Sequence, residues 1–175
     1  MPTPVALRPY RPDDEPAVAD IITRAFRPVS IDARMEDGYG LLNGTTWDQR
    51  KIAAVGAEIA AYPAGAFVAE AEGQVLGFIT TSVDPNGSIG RIINLAVVPE
   101  AQGQGVGKAL LCQAFDHLRA VGVQYFRIET TENNAVGQAL YPRCGFREIS
   151  RQIIYFRSAQ EAAAWTHSAP DEAPS

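Results

Sequence analysis

Apolar positions recur along this chain with two periods, and the switches between them mark out the elements. Residues 5–8 form a short apolar stretch that predicts a first strand. Val18, Ile21, Ile22, Ala25 and Phe26 then fall at helical spacing. Asp13 or Asp14 is placed to cap that helix, and Pro16 sits in its first turn, where a missing N–H costs nothing. Residues 27–46 keep no period, and their glycines, Pro28 and mixed charges predict a long loop, of a length that often serves function. Residues 47–60 read as a second helix, stopped near Tyr62 and Pro63.

Three strands follow. Residues 66–70 and 75–81 flank the hairpin turn Glu72-Gly73-Gln74. After the turn Asp84-Pro85-Asn86-Gly87, residues 91–98 are almost continuously apolar, the mark of a strand covered on both faces. Val106, Leu110, Leu111, Ala114, Leu118 and Val121 make one helical stripe. Residues 124–131 predict a strand, 134–144 a short helix stopped by Gly145, and 146–157 a long final strand. The order is that of an α/β protein with a mixed, mostly antiparallel sheet and one strand–helix–strand unit. There are no internal repeats.

Composition narrows the function more than the fold. A chain of 175 residues, 46% apolar and 20% charged, suits one domain, expected over residues 1–160, with a Pro- and acid-rich tail at 161–175 that is partly disordered. A net charge of −5 argues against nucleic acid as a partner. No run of apolar residues is long enough for a membrane helix, and the start Met1-Pro2-Thr3-Pro4 lacks a signal-peptide pattern, so the expected location is the cytoplasm. Cys112 and Cys144 make neither a disulfide framework nor a zinc spacing, and His117 and His167 stand apart, so no metal is expected.

The most informative stretch is Gln102-Gly103-Gln104-Gly105-Val106-Gly107-Lys108, where a strand runs through glycines into a helix. Unpaired N–H groups and the helix dipole make such a place an anion site, and glycines let a phosphate come close. Spacing excludes two nucleotide loops. A Walker loop needs glycine at 102 and a hydroxyl at 109, where Gln102 and Ala109 stand. A dinucleotide turn meets Lys108 or Leu110 where a small residue is required. What remains is Gln102, Gly105 and Gly107 in a Gln-x-x-Gly-x-Gly pattern.

Together with Asn94-Leu95-Ala96-Val97-Val98-Pro99 before it, and Asn134, Ala139-Leu140-Tyr141 and Gly145-Phe146 after it, this turn resembles the GCN5-related N-acetyltransferase (GNAT) family over roughly residues 5–157. The resemblance implies the acyl-CoA N-acyltransferase fold: a central sheet of six to seven strands with a splayed central pair, opened by a bulge, and about four flanking helices. It implies acetyl-CoA as co-substrate. The backbone of Leu95, Ala96 and Val97 would pair with the pantetheine, and Gln102, Gly103, Gln104, Gly105, Val106, Gly107 and Lys108 would hold the pyrophosphate. Lys108 either assists a phosphate or is simply solvated. Asn134 contacts CoA, caps its helix, or does both.

The same resemblance places Tyr141 as general acid near the sulfur and Glu129 as carboxylate base, acting directly or through water. Alternation along the strand sets Arg127 and Glu129 on one face, Phe126 and Ile128 on the other. Pro142 after Tyr141 departs from the family's usual polar residue. A ping-pong role for Cys144 lacks a neighbouring histidine. The acceptor, expected to be a primary amine on a small metabolite, would meet Asp32, Glu36 and Asp37, with Tyr39 and Trp47 packing on its apolar part. Two alternatives stand beside this reading: a protein N-terminal or lysine acetyltransferase, and a catalytically silent CoA-binding sensor. The family's closing seventh strand has no clear counterpart, because Ser158 and Glu161 are spaced as a capping box before Ala162-Ala163-Ala164. That place falls to a short helix, a weak strand or a second copy in a homodimer.

Overall fold

The computed structural model describes residues 5–163. Strand β1 (Ala6–Pro9) leads through a 3-10 turn into α1 (Glu15–Phe26). Val18, Ile21 and Ile22 are buried, as their spacing predicts, with Ala25 and Phe26 partly covered. Asp14 stands at the cap position, but its carboxylate is used elsewhere. It accepts from Arg11 N at 2.8 Å and takes the Arg8 guanidinium on both oxygens, at 2.7 and 2.8 Å. Those bonds from Arg8 hold the buried Asp14 carboxyl below the usual range, outweighing desolvation.

Residues 27–46 are not the open loop expected. A 3-10 turn leads into α2 (Ile31–Tyr39), capped by Ser30, whose Oγ accepts from Ala33 N at 3.3 Å. Only Ala33 of this helix is buried, so no apolar stripe announces it. Polar tethers from α3 (Trp47–Ala61) fasten it instead. Arg50 donates to Asp32 O at 3.0 Å, and the Glu36 carboxylate accepts from Trp47 N at the start of α3.

The remaining strands are β2 (Ala66–Ala71), β3 (Gln74–Val83), β4 (Ile89–Val97) and β5 (Tyr125–Ile128), with α4 (Val106–Ala120) between the last two. They form one sheet in the order β1-β2-β3-β4-β5, antiparallel except for the parallel pair β4–β5. Helices α1 and α3 cover one face and α4 the other. Gly90 of β4 has room only for Leu118 of α4, whereas Asn94 of the same strand meets Lys51 and Glu58 of α3. Phe78, Ile79, Leu110, Leu111 and Leu118 lie at the centre of the core.

After α5 (Ala135–Arg143) the expected final strand does not form: residues 146–157 join no ladder, and among the described residues the sheet has five strands rather than six or seven. Apolar and β-branched residues there favour an extended backbone, but a strand exists only against an edge that pairs with it. The flanking helices of nine residues or more include α2, which the sequence did not announce. Helix α6 (Ala159–Ala163) follows the predicted capping box, with Glu161 N donating to Ser158 Oγ at 3.0 Å. The expected disordered tail beyond it lies outside the described residues. Among the described residues no helix is long and apolar enough to cross a membrane.

Candidate active site

Strands β4 and β5 stay together for four rungs only, from Ile89 opposite Tyr125 to Ile92 opposite Ile128. At that point the β3–β4 register slips: Thr80 faces Asn94 and Thr81 faces Ile92, leaving Ile93 as an extra residue on β4. A bulge bends its strand and increases the local twist, which carries β4 away from β5. Leu95, Ala96 and Val97 therefore keep β3 on one side and have no strand on the other.

Asn94 locks this bend. It is almost completely buried, and its Oδ1 accepts from Lys51 Nζ at 2.7 Å. Its Nδ2 donates to Thr80 Oγ1 at 2.8 Å and also to the Glu58 carboxylate. Both ends of one amide are thus occupied by charged groups from α3.

The glycine-rich turn sits where β4 leaves the sheet. Gly103 and Gly105 have φ of 74° and 88°, and Gly105 is the N-cap of α4. A Cβ at either would point into open space, so their requirement is conformational. Among the described residues, no backbone bond engages the N–H groups of Gly103, Gln104, Gly105, Val106, Gly107 or Lys108. Six donors and a helix N-terminus make a strong anion cradle. The glutamine side chains turn inward: Gln102 Nε2 donates to Val97 O at 3.1 Å and Gln104 Nε2 to Glu100 O at 2.7 Å, stiffening the turn. Gly77 lets β3 lie close beneath, since a Cβ there would stand 2.7 Å from Ala96 O. Lys108 is exposed.

On α5, Asn134 caps the helix, accepting from Gly137 N at 3.0 Å, and its Nδ2 donates to Thr130 Oγ1 at 2.8 Å. Tyr141 lies about two turns further on, packed edge-on to Phe146 with ring centroids 6.1 Å apart. Burial, with the Cys144 thiol second, pushes its hydroxyl up to about 12. Pro142 is absorbed in the last turn, where Cys144 N and Phe146 N both bond to Tyr141 O. Cys144 is itself raised by burial, which makes it a poor nucleophile.

Glu129 follows directly on β5. Arg91 Nη2 approaches its Oε1 at 3.0 Å and Arg127 Nη2 at 2.7 Å. Phe126 packs on Phe115 of α4, so Glu129 and Arg127 face the opposite side of the sheet. Tyr141, joined to Phe115 through Phe146, lies on the α4 side of the sheet, and Glu129 on the other. The loop after β5 docks against the α1–α2 connection, Thr131 Oγ1 donating to Val29 O at 3.3 Å.

The acidic residues expected to attract an acceptor are otherwise engaged. Asp37 pairs with Arg27 at 2.9 Å, and Asp32 and Glu36 flank Arg50 at 3.6 and 3.8 Å. Trp47 is core, 5% exposed, while Tyr39 bonds to Phe156 O at 3.0 Å. His117 meets the Tyr62 hydroxyl at 2.9 Å, in packing on the α4 face. Arg91, Gly77 and Gly137 have no role in the sequence reading, and Asn94 enters it only as the first residue of the Asn94–Pro99 motif. Gly137 carried a signal, a glycine inside a short helix where that residue is disfavoured, and Gly77 another, an isolated glycine inside a strand.

The model of the acetyltransferase (GNAT) family matches residues 18–146. The chain belongs to the acetyltransferase (GNAT) family. Among GNAT relatives, the mycothiol acetyltransferase of Parafrankia sp. (strain EAN1pec) is 31% identical over 184 residues, covering 89% of this chain and 56% of the relative. The chain spans about half the length of the curated relatives it matches. The structure resembles the PaiA N-acetyltransferase of Thermoplasma acidophilum, solved with coenzyme A (TM-score 0.69, 18% identity, covering 85% and 93% of the two chains). It also resembles a GNAT family acetyltransferase of Brucella melitensis solved with acetyl-CoA (TM-score 0.61, 25% identity, 83% and 84%). Acetyl-CoA is the co-substrate of a GNAT acetyltransferase, and the unpartnered β4 edge ending at six free N–H groups fits it.

Proposed function

We propose that this chain is an N-acetyltransferase that moves an acetyl group from acetyl-CoA directly to a primary amine of a small metabolite, with both substrates bound together. The observation that carries this reading is the parting of β4 from β5 beside the turn at the start of α4. The free edge at Leu95, Ala96 and Val97 suits the pantetheine amides, and the N–H groups from Gly103 to Lys108 suit the pyrophosphate. Asn134, which already caps α5, stands at the family's CoA-contacting position.

Positioning the two substrates supplies most of the acceleration. Tyr141 keeps its proton at neutral pH and donates it to the departing thiolate. On the other side of the sheet, both arginines hold Glu129 by Oε1, leaving Oε2 to accept the ammonium proton directly or through water. A small acceptor is supported by the relatives named for mycothiol. Glu129, itself paired with Arg91 and Arg127 through Oε1, keeps Oε2 to meet a cationic amine.

The test is a screen of amines, amino acids, aminoglycosides and peptides, read by release of free CoA thiol. Turnover of small amines is expected. Turnover of peptides alone would move the activity to proteins, and acetyl-CoA binding without thiol release would make the chain a sensor. Mass spectrometry without acceptor should find no acetyl group on Cys144; finding one would overturn direct transfer.

A further inference from the structure

Arg91 of β4 and Arg127 of β5 stand opposite each other in the parallel ladder. Gly90 and Phe126, one residue before them, turn to α4, so both arginines project from the other face of the sheet. Neighbouring strands lie about 4.8 Å apart, and like charges placed opposite one another are destabilising. Glu129 answers only part of that charge. Its Oε1 meets Nη2 of Arg91 at 3.0 Å and Nη2 of Arg127 at 2.7 Å, and among the described residues neither arginine pairs with another carboxylate. One positive charge of the cluster is left over. Further along β4, Asn94 joins Lys51 to Glu58, a pair that is neutral by itself and does not cancel it.

Folding alone does not call for two arginines side by side, and their place is a functional one. The ladder has one more rung, Ile92 with Ile128, before β4 and β5 part. The cluster therefore lies at the mouth of the gap. All three side chains are about half exposed, within reach of a dissolved molecule.

We propose that Arg91 and Arg127 bind an anionic group of the acceptor, and that the acceptor is an amine whose carbon also bears a carboxylate, an α-amino acid or a close analogue. This rests on the N-acetyltransferase reading above, with Glu129 as the carboxylate that meets the amine. Each guanidinium keeps further N–H groups, in the planar fork that takes a carboxylate on both oxygens. Oε1 of Glu129 is the atom held by the arginines, and Oε2 is beside it. An acceptor that sets its ammonium on Oε2 thus brings a carboxylate on the same carbon to the forks. Charge selects the anion: a monoanion matches the single positive charge left over, whereas a phosphate monoester carries about −1.5 to −2 at neutral pH.

The test is initial-rate kinetics on matched sets, each an amino acid, its amide and the amine that lacks the carboxyl group. The amino acid is expected to be preferred over its amide by about 10- to 100-fold in kcat/KM, mainly through KM. Arg91→Gln and Arg127→Gln should each bring that ratio close to one. The ratio compares acceptors within one protein, so any effect of the substitution on Glu129 divides out. Losing one of two like charges should leave the melting temperature within a few degrees of the wild type. Calorimetry on the protein saturated with CoA separates the anion site from the transfer reaction. If no amine is turned over, the transfer reading falls, while amino-acid binding that is absent for the amides and lost in Arg127→Gln still reports the site. Amides used as well as amino acids, a preference that survives both substitutions, or no difference in binding between amino acid and amide overturns the proposal.

Discussion

Tyr141 lies over Gly137 so closely that a Cβ at 137 would stand 2.9 Å from its Cε2 and 2.7 Å from Asn134 Nδ2. In an ordinary helix, Gly→Ala is favourable by about 1 kcal/mol. Here overpacking costs about 1–3 kcal/mol, and it acts on the proposed acid and on the cap together. Gly137→Ala is therefore expected to lower kcat at least tenfold while changing the melting temperature by only a few degrees. Steady-state kinetics beside thermal unfolding checks it; an unchanged kcat would detach Tyr141 from the chemistry.

Tyr141→Phe keeps the ring and removes the proton. A lost general acid costs about 10²–10⁴-fold in rate, so kcat should fall while the Kd for acetyl-CoA, from calorimetry, stays within a few-fold. With the hydroxyl raised to about 12, the folded protein holds this proton where an unfolded chain would release it near 10. That contribution to stability is present below pH ~10 and is lost as pH rises toward 12. The wild type should accordingly lose stability relative to Tyr141→Phe across that window.

Glu129→Gln keeps the size of the side chain and removes its charge. We expect kcat to fall by about 10²-fold with stability altered by less than about 1 kcal/mol, because ion pairs this exposed contribute little. Arg91→Ala should cost kcat only a few-fold, since Arg127 still holds Oε1. Equal losses in the two variants would assign the effect to the pair rather than to a proton acceptor.

Gly105→Glu places bulk and a negative charge at the start of α4 and should abolish acetyl-CoA binding. Gly105→Ala separates this from backbone strain: at φ 88° an L-residue costs about 1–2 kcal/mol, so stability falls while measurable affinity remains. Retained binding by Gly105→Glu would remove the pyrophosphate from this turn.

The parts legible in the sequence were those with local causes. The apolar stripes of α1 and α4, the Ser158–Glu161 capping box and the glycine turn each depend on residues within a few positions of one another. Helix α2 was hidden because its tethers, Ser30, Arg50 and Glu36, are polar and come partly from another helix. Residues 146–157 look like a strand and lack only a partner, which no local pattern records. The pairing of Arg91 with Glu129 spans 38 positions and appears only once β4 and β5 lie side by side. Trp47, expected to pack on an acceptor, is core, because the face it takes depends on how α3 is rotated against the sheet.

The single amide of Asn94 has a consequence for how this protein can change. Lys51 and Glu58 need it from opposite ends, so aspartate at 94 would repel one of them and leucine would abandon both. An exchange at any one of these three positions therefore disturbs a bond made by another. Helix α3 and the bend in β4 are thereby tied into one heritable unit, and variation in what the enzyme accepts has freer ground on α2 and the loop after β5.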